Sequence, residues 1–70
     1  MAKVTNIEIL NPSTQTYVVC VGTGVIEDAD DVLVTNNALY GVGSRYTNRL
    51  TGATYVRRAM NKIVQSWVEI

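Results

Sequence analysis

The stretch TYVVCVGTGVI, residues 16–26, decides the fold, because seven of its eleven residues are β-branched. Such side chains favour extended backbone and pack well on a pleated sheet. The stretch therefore predicts a central β-strand. Gly22 and Gly24 lie at positions where a strand bends, bulges or passes close to a neighbouring backbone.

The same two glycines suggest an alternative, a loop that holds the phosphates of a dinucleotide. Such a loop needs a third glycine three residues later and then a helix whose amino end faces the phosphates. Glu27 stands at the third position, where its carboxylate would repel phosphate. The residues that follow are acidic and then β-branched, which is not typical of a long amphipathic helix. We therefore expect no cofactor.

Three other segments have strand character. Val4–Leu10 alternates between apolar and polar residues, and Asn11-Pro12-Ser13-Thr14 then predicts a turn. Val32–Thr35 predicts a short apolar strand after a charged turn. Ile63–Ile70, which contains Trp67, predicts a strand that closes the chain.

The segment SRYTNRLTGATYVRR, residues 44–58, predicts a β-hairpin with its turn at Arg49–Gly52. In the register that this turn favours, Tyr46 faces Val56 on the core side. A slip of one residue would exchange the two faces. The opposite face then carries the following side chains: Arg45, Arg49, Tyr55 and Arg57.

Together these segments predict an all-β fold, a single β-rich domain that spans residues 1–70. With one proline and no long helical period, the chain fits a small antiparallel barrel or sandwich of about six short strands. Any helix should be limited to one turn near Asn36–Tyr40.

A chain of 70 residues has a small core, because folding buries only about 60% of the surface that is exposed in an unfolded chain of this size. Cys20 is the single cysteine and histidine is absent, so the chain cannot form an internal disulfide and has almost no ligands for zinc. We expect Cys20 to be a small buried side chain. Binding to other subunits is the remaining way to reinforce the fold.

The residues near the start and the apolar runs predict a location away from membranes. Met1–Asn6 lacks the apolar centre of a secretory signal, and the longest apolar run, Val18–Val21, is too short to span a bilayer. We therefore expect synthesis and folding in a cytosol.

The charges are unevenly placed although the net charge is zero. Residues 1–35 carry one lysine and five carboxylates, a net charge of −4, and residues 36–70 carry five cations and one carboxylate, a net charge of +4. Such separation suits contact between neighbouring copies or with an oppositely charged support. Two solvated charged loops are the alternative.

The acidic run at residues 28–31 could suggest a calcium loop. Val32 and Leu33 stand where the third ligand and the glycine of such a loop should be, so we expect a solvated turn.

No residue pattern predicts catalysis, because there is no histidine to serve as a base and no serine has a recognisable partner. Arginines beside tyrosines are typical of single-strand nucleic-acid binders, but an isoelectric point near 6.1 argues against a dedicated binder. Acidic residues on a protein neighbour explain the same arginines. The candidate contact residues are Asp28, Asp30, Asp31, Arg45, Arg49, Tyr55, Arg57, Arg58 and Trp67.

The segment YGVGSRYTNRLTGATYVRRAMNKIVQSWVEI, residues 40–70, resembles a short β-module of bacteriophage virion proteins, found in small head proteins and tail-fibre segments. The resemblance implies a structural role without catalysis, in a repeated assembly. The matching positions are Gly43, Ser44, Tyr46, Thr51, Gly52, Tyr55, Val56, Arg57, Trp67 and Ile70.

The leading hypothesis is a phage virion protein, made in the bacterial cytoplasm, that decorates or cements the capsid shell. Its expected partners are other copies of itself and the major capsid protein or another virion protein, with no membrane. A tail or fibre component is the first alternative. A small phage protein that binds nucleic acid or a host protein is the second.

Overall fold

The computed structural model describes residues 2–10 and 17–70, and these residues contain one mixed five-stranded sheet. The strands lie in the sheet in their chain order, β1 to β5. Their bounds are β1 Lys3–Leu10, β2 Tyr17–Thr23, β3 Arg45–Asn48, β4 Thr54–Arg57 and β5 Trp67–Glu69. The predicted turn at residues 11–14, and Thr16 at the predicted start of the second strand, lie outside the described residues.

The all-β prediction is confirmed, but the sheet is mixed and not purely antiparallel. Strand β2 pairs in antiparallel fashion with β1 and in parallel with β3, and the other two pairings are antiparallel. A parallel pair needs a long connection that crosses one face of the sheet. Residues 24–44 form that connection, which we call the crossover.

The crossover contains a helical turn where the sequence predicted a strand. Val32–Thr35 forms α1, because the side chain of Asp31 caps it by accepting a hydrogen bond from the Leu33 amide at 3.3 Å. Within this turn, the side chains of Leu33 and Val34 are buried. The strand prediction was wrong because periodicity cannot distinguish a strand from a helical turn in so short an apolar run. The described part of the chain therefore has five strands and not six.

The last segment is a strand over only part of its predicted length. Val64–Ser66 forms a 3-10 turn, closed by the Ser66 hydroxyl, which donates to the Ile63 carbonyl at 2.7 Å. Strand β5 begins directly after it. No helix in the described residues is long and apolar enough to cross a membrane.

The core lies between the sheet and the crossover. We call the sheet face that the crossover covers the inner face, and alternation along each strand sends every second side chain to it. The buried apolar cluster consists of Ala2, Val18, Cys20, Ile26, Leu33, Val34, Tyr40, Tyr46 and Trp67.

Gly22 is required by the close approach of β1. It pairs with Val4, next to a register shift between Val4 and Asn6, and a Cβ atom at Gly22 would overlap the carbonyl oxygen of Lys3. Only glycine leaves room for this backbone contact. No helix follows directly, since α1 begins at Val32. Gly22 therefore serves the pairing of β1 with β2.

The β3–β4 hairpin has the register that is one residue away from the predicted one. Tyr46 pairs with Tyr55 and Arg45 pairs with Val56. The turn is fixed by Asn48, whose backbone N–H donates to the Ala53 carbonyl at 2.8 Å, and by Gly52, which has a φ of 80°. The two tyrosines therefore share the inner face, and Arg45 lies on the other one.

Candidate interaction surface

The sheet face opposite the crossover remains accessible to solvent, and we call it the outer face. Strand register assigns its members, since directly paired residues project to the same side. Val19 and Val68 on this face are 36% and 42% exposed. The outer face includes Lys3, Asn6, Glu8, Val19, Val21, Thr23, Arg45, Thr47, Thr54, Val56 and Val68.

One row of side chains crosses the whole outer face. Glu8 on β1 pairs with Val19 on β2, which pairs with Arg45 on β3, and the row continues through Val56 to Val68. Neighbouring strands lie about 4.8 Å apart, so Glu8 and Arg45 flank Val19 at equal distances. The row thus places an acid and a base on either side of an exposed valine.

Neither charge in this row is neutralised within the described residues. Glu8 and Arg45 are both exposed, and neither has an ion-pair partner there. The β1–β2 part of the face is also slightly concave, with an open depression lined by Asn6, Glu8, Val19 and Val21 together with Ile7. The outer face therefore offers a shallow depression, apolar surface and exposed charges of both signs, with Glu8 as the acid and Arg45 and Lys3 as the bases.

Five of the predicted contact residues are exposed. Arg45 lies on the outer face, and Arg49 lies in the β3–β4 turn. Asp28 and Asp30 lie in the turn before α1, where the Asp28 carboxylate accepts from the Asp30 amide at 2.9 Å. Arg58 is the fifth. Their role as contact residues stays a prediction.

Tyr55 occupies an intermediate position. It is partly buried on the inner face and stacks on Tyr46, with 6.5 Å between ring centroids and 26° between the ring planes. Tyr46 is completely buried, and its hydroxyl donates to the Gly24 carbonyl at 2.7 Å. Burial raises the pKa of the Tyr46 hydroxyl, with smaller contributions from Asp31, Cys20 and Tyr55.

Arg57 was predicted to be a contact residue at the surface. Its side chain is instead completely buried on the inner face. All five N–H donors of the guanidinium reach backbone carbonyl oxygens, which together we call the carbonyl cage. Nε donates to Ala59 at 3.0 Å, Nη1 donates to Leu33 at 3.2 Å and Tyr40 at 2.9 Å, and Nη2 donates to Val34 at 3.1 Å and Asn61 at 3.2 Å.

The carbonyl cage has a physical cause in the shortness of α1. The last carbonyls of a helix have no partner within it, and Leu33 and Val34 belong to the end of α1. Arg57 satisfies both and joins the crossover to the segment after β4. Burial lowers the pKa of the guanidinium, which nevertheless stays protonated in proteins. Replacing Arg57 by glutamate should therefore unfold the domain, because a carboxylate would face the carbonyl oxygens of the cage.

Trp67 also lies in the core and not at the surface, with 5% of its area exposed. Its indole N–H donates to the Leu33 carbonyl at 2.8 Å. The Arg57 guanidinium lies 5.9 Å from the centre of its ring, within cation–π range. Tyr40 packs against it edge to face at a centroid distance of 6.3 Å. Trp67 therefore forms one wall of the same buried cluster as Arg57.

Asp31 is likewise buried, unlike its neighbours in the acidic turn. Besides capping α1, its carboxylate accepts from the Ala2 amide at 2.8 Å and so fixes the residue that precedes β1. The prediction of a solvated turn holds for Asp28 and Asp30, which are exposed, but not for Asp31.

Cys20 is buried, as expected. Its thiol donates to the Arg45 carbonyl at 3.3 Å, and burial raises its pKa to about 12. No group of three or more histidine, cysteine, aspartate or glutamate side chains is placed to hold a metal ion among residues 2–10 and 17–70.

No protein-family model, curated protein or solved structure matches this chain. The functional interpretation therefore depends on the residues themselves.

Four of the ten positions that carry the resemblance to the phage β-module are structural. Ser44, Tyr46, Arg57 and Trp67 are all buried. Ser44 accepts from the Val18 amide through its hydroxyl at 3.2 Å, next to the parallel β2–β3 pairing. These residues form the framework of the sheet and not its contact surface.

The sequence analysis missed the residues that make the outer face distinctive. Glu8 and Val19 lie in predicted strands, but the sequence does not show that they share a surface. The pairing of β2 with both β1 and β3 brings them together. Strand alternation was the signal that could have found the face, once the partners of β2 were established.

Proposed function

We propose that this chain is a non-enzymatic structural protein of a phage virion, which decorates or cements the capsid shell through its outer face. The observation that carries the proposal is the presence of accessible valines on that face, of which Val19 and Val68 are 36% and 42% exposed. Sheets commonly bury such a face against a second layer.

The small size of the chain supports an assembly role. A chain of 70 residues has an expected stability of about 4–10 kcal/mol, from about 0.05–0.15 kcal/mol per residue. Covering the outer face with another protein removes apolar surface from water and adds to this stability at about 25 cal/mol per Å². A repeated assembly is therefore a physically favourable setting for the fold.

The virion part of the proposal is supported by the resemblance of residues 40–70 to phage head and tail-fibre modules. A tail or fibre component uses the same outer face and remains the alternative within this class. The choice between them depends on where the protein is found in the particle, which the experiment below measures.

Protein contact explains the exposed arginines better than nucleic-acid contact does. A single-strand binder offers aromatic rings on which bases stack, yet the Tyr46 ring is completely buried and Tyr55 stacks on it. Burial of Arg57 also removes one of the basic residues from any such surface.

The experiment is quantitative mass spectrometry of purified virions and of separated heads and tails, followed by binding of the purified chain to capsids that lack it. The proposal predicts recovery with heads at a copy number that matches the capsid lattice, and saturable binding to the shell. Recovery only with tails would support the alternative, and absence from virions would refute the proposal.

Two matched variants test the role of the outer face. Val68→Lys changes a residue on this face, and Ile63→Lys changes a similarly exposed residue away from the sheet, their exposures being 42% and 46%. We expect Val68→Lys to weaken shell binding at least tenfold and Ile63→Lys to change it less than threefold. Equal effects would show that another surface makes the contact.

A further inference from the structure

We infer that the first partner to dock on the outer face is a second copy of this chain, related by a two-fold axis that runs nearly along β2. The inference rests on the proposed assembly role and names the partner in the primary contact. It follows from the positions of the charged and apolar side chains on strands β1, β2 and β3.

The first row of the outer face is complementary to itself about this axis. Val19 lies midway between Glu8 and Arg45. A two-fold axis through Val19 exchanges its two neighbours, so that Glu8 of one copy lies opposite Arg45 of the other, twice in each dimer. Val19 then meets Val19. One operation therefore pairs Glu8 with Arg45 twice, and Lys3 lies outside these pairs.

The second row behaves in the same way. Asn6 pairs with Val21, and Val21 pairs with Thr47, so Val21 again lies midway. The same axis places the Asn6 amide opposite the Thr47 hydroxyl of the second copy, two groups that can donate and accept hydrogen bonds. Val21 meets Val21. The interface thus has an apolar seam along β2 with polar pairs on both sides.

Other axes in this face do not give complementary charges. An axis along β1 would oppose two Glu8 carboxylates, and an axis along β3 would oppose two Arg45 guanidinium groups. An axis that runs across the strands, along the first row, would place Glu8 opposite Glu8 and Arg45 opposite Arg45. Like charges at an interface are costly, whereas packed sheets with aligned strands, about 10 Å apart and inclined by about 30°, are a common arrangement.

Part of the outer face remains available in this dimer. Val56 and Val68 lie on β4 and β5, beyond the three strands that the second copy covers. This remaining apolar strip can bind a further neighbour such as the shell. The dimer contact and the proposed shell contact are therefore adjacent and do not compete.

The test is sedimentation equilibrium of the purified full chain and of charge-swapped variants. We expect the wild-type chain to form a dimer, and Glu8→Arg or Arg45→Glu to raise its dissociation constant at least tenfold. The double variant that exchanges both charges should return to within about threefold of wild type, as opposite-charge pairs are restored. Val19→Lys should give a monomer with an unchanged circular dichroism spectrum.

Matched controls carry the same charge changes on exposed residues elsewhere. Glu69→Arg lies on the inner side of β5, and Lys62→Glu lies in the loop before the 3-10 turn; both should leave dimerisation unchanged. A wild-type monomer at millimolar concentration would overturn the inference, as would a double variant that remains as weak as the single ones. If the wild type is monomeric but Val19→Lys abolishes shell binding, the face belongs to the shell protein.

The outcomes also separate this inference from the proposed function. A monomer that still binds capsids would refute the inference and leave the proposed function standing. A dimer with the predicted charge dependence that is absent from virions would refute the proposed function and leave the inference standing.

Discussion

Replacing Arg57 by methionine tests the strongest structural statement about the core. The side chain is completely buried, and each of its five N–H donors is used by a carbonyl of the cage. Arg57→Met keeps the length and apolar stem of the side chain but removes the charge and every donor. Because methionine carries no donor, the carbonyl oxygens of the cage lose the hydrogen bonds from the guanidinium.

The magnitude follows from the carbonyls that lose their donor. The Leu33 carbonyl keeps the Trp67 indole, whereas the buried carbonyls of Val34 and Tyr40 lose the bond from Arg57. A buried polar group without a partner costs about 1–3 kcal/mol, so these two alone cost about 2–6 kcal/mol. We expect a loss of about 4 kcal/mol, which is most of the stability of a small domain.

The assay is urea denaturation followed by the fluorescence of Trp67, the only tryptophan, which lies beside Arg57. Arg57→Lys should lose about half as much, since lysine keeps the charge and three donors but not the planar fork. Arg49→Met, at an exposed position, should stay within about 0.5 kcal/mol of wild type. Replacing a buried charge by a well-packed apolar side chain is sometimes neutral, so Arg57→Met within about 1 kcal/mol of wild type would refute the reasoning.

Three further predictions concern the ends of the sheet and the core. Gly22→Ala should cost at least about 2 kcal/mol in urea denaturation, because the added methyl group overlaps the Lys3 carbonyl; an unchanged midpoint would show that β1 shifts freely. Asp31→Ala should cost about 1–2 kcal/mol of unfolding free energy and speed hydrogen exchange at the Ala2 amide, because the bonds from the Leu33 and Ala2 amides are both lost. Exchange at Ala2 that remains slow would contradict the bond from the Ala2 amide to Asp31. The pKa of Cys20 is raised from 9.0 to about 12, so its contribution to stability is complete below pH 9 and is lost between pH 9 and 12; thermal denaturation should show a steeper alkaline decline in wild type than in Cys20→Ala.

Local sequence patterns predicted most of the strands. The β-branched run around Val18 gave β2, and alternation gave β1, because both are long enough for a periodic signal. The β3–β4 hairpin was also predicted, since Gly52 marks its turn. The register differed by one residue because the turn Arg49–Gly52 places Asn48 opposite Ala53, whose carbonyl accepts from the Asn48 amide, whereas Tyr46 opposite Val56 would need a turn shorter by one residue.

Long-range contacts explain what the sequence did not reveal. The parallel β2–β3 pairing depends on the crossover, and no local pattern encodes it. Arg57 looks like a surface residue by type, since arginine is rarely buried without a carboxylate. Only the convergence of carbonyls from α1, Tyr40 and the segment after β4 makes its burial possible. For the same reason, the members of the outer face follow only from the long-range pairing of the strands.

The most direct test of the central claim, that the outer face binds a second copy about an axis along β2, is thiol cross-linking. In a Cys20→Ala background, Val19→Cys places one thiol per chain on the proposed axis, and Ile63→Cys places it away from the sheet. Because facing sheets lie about 10 Å apart, whereas a direct disulfide needs Cβ atoms within about 4.5 Å, the reagent is a short bismaleimide that spans this gap. It should convert Val19→Cys to a covalent dimer while Ile63→Cys stays largely monomeric. Equal rates of cross-linking for the two variants, or no cross-linking of Val19→Cys, would contradict the account.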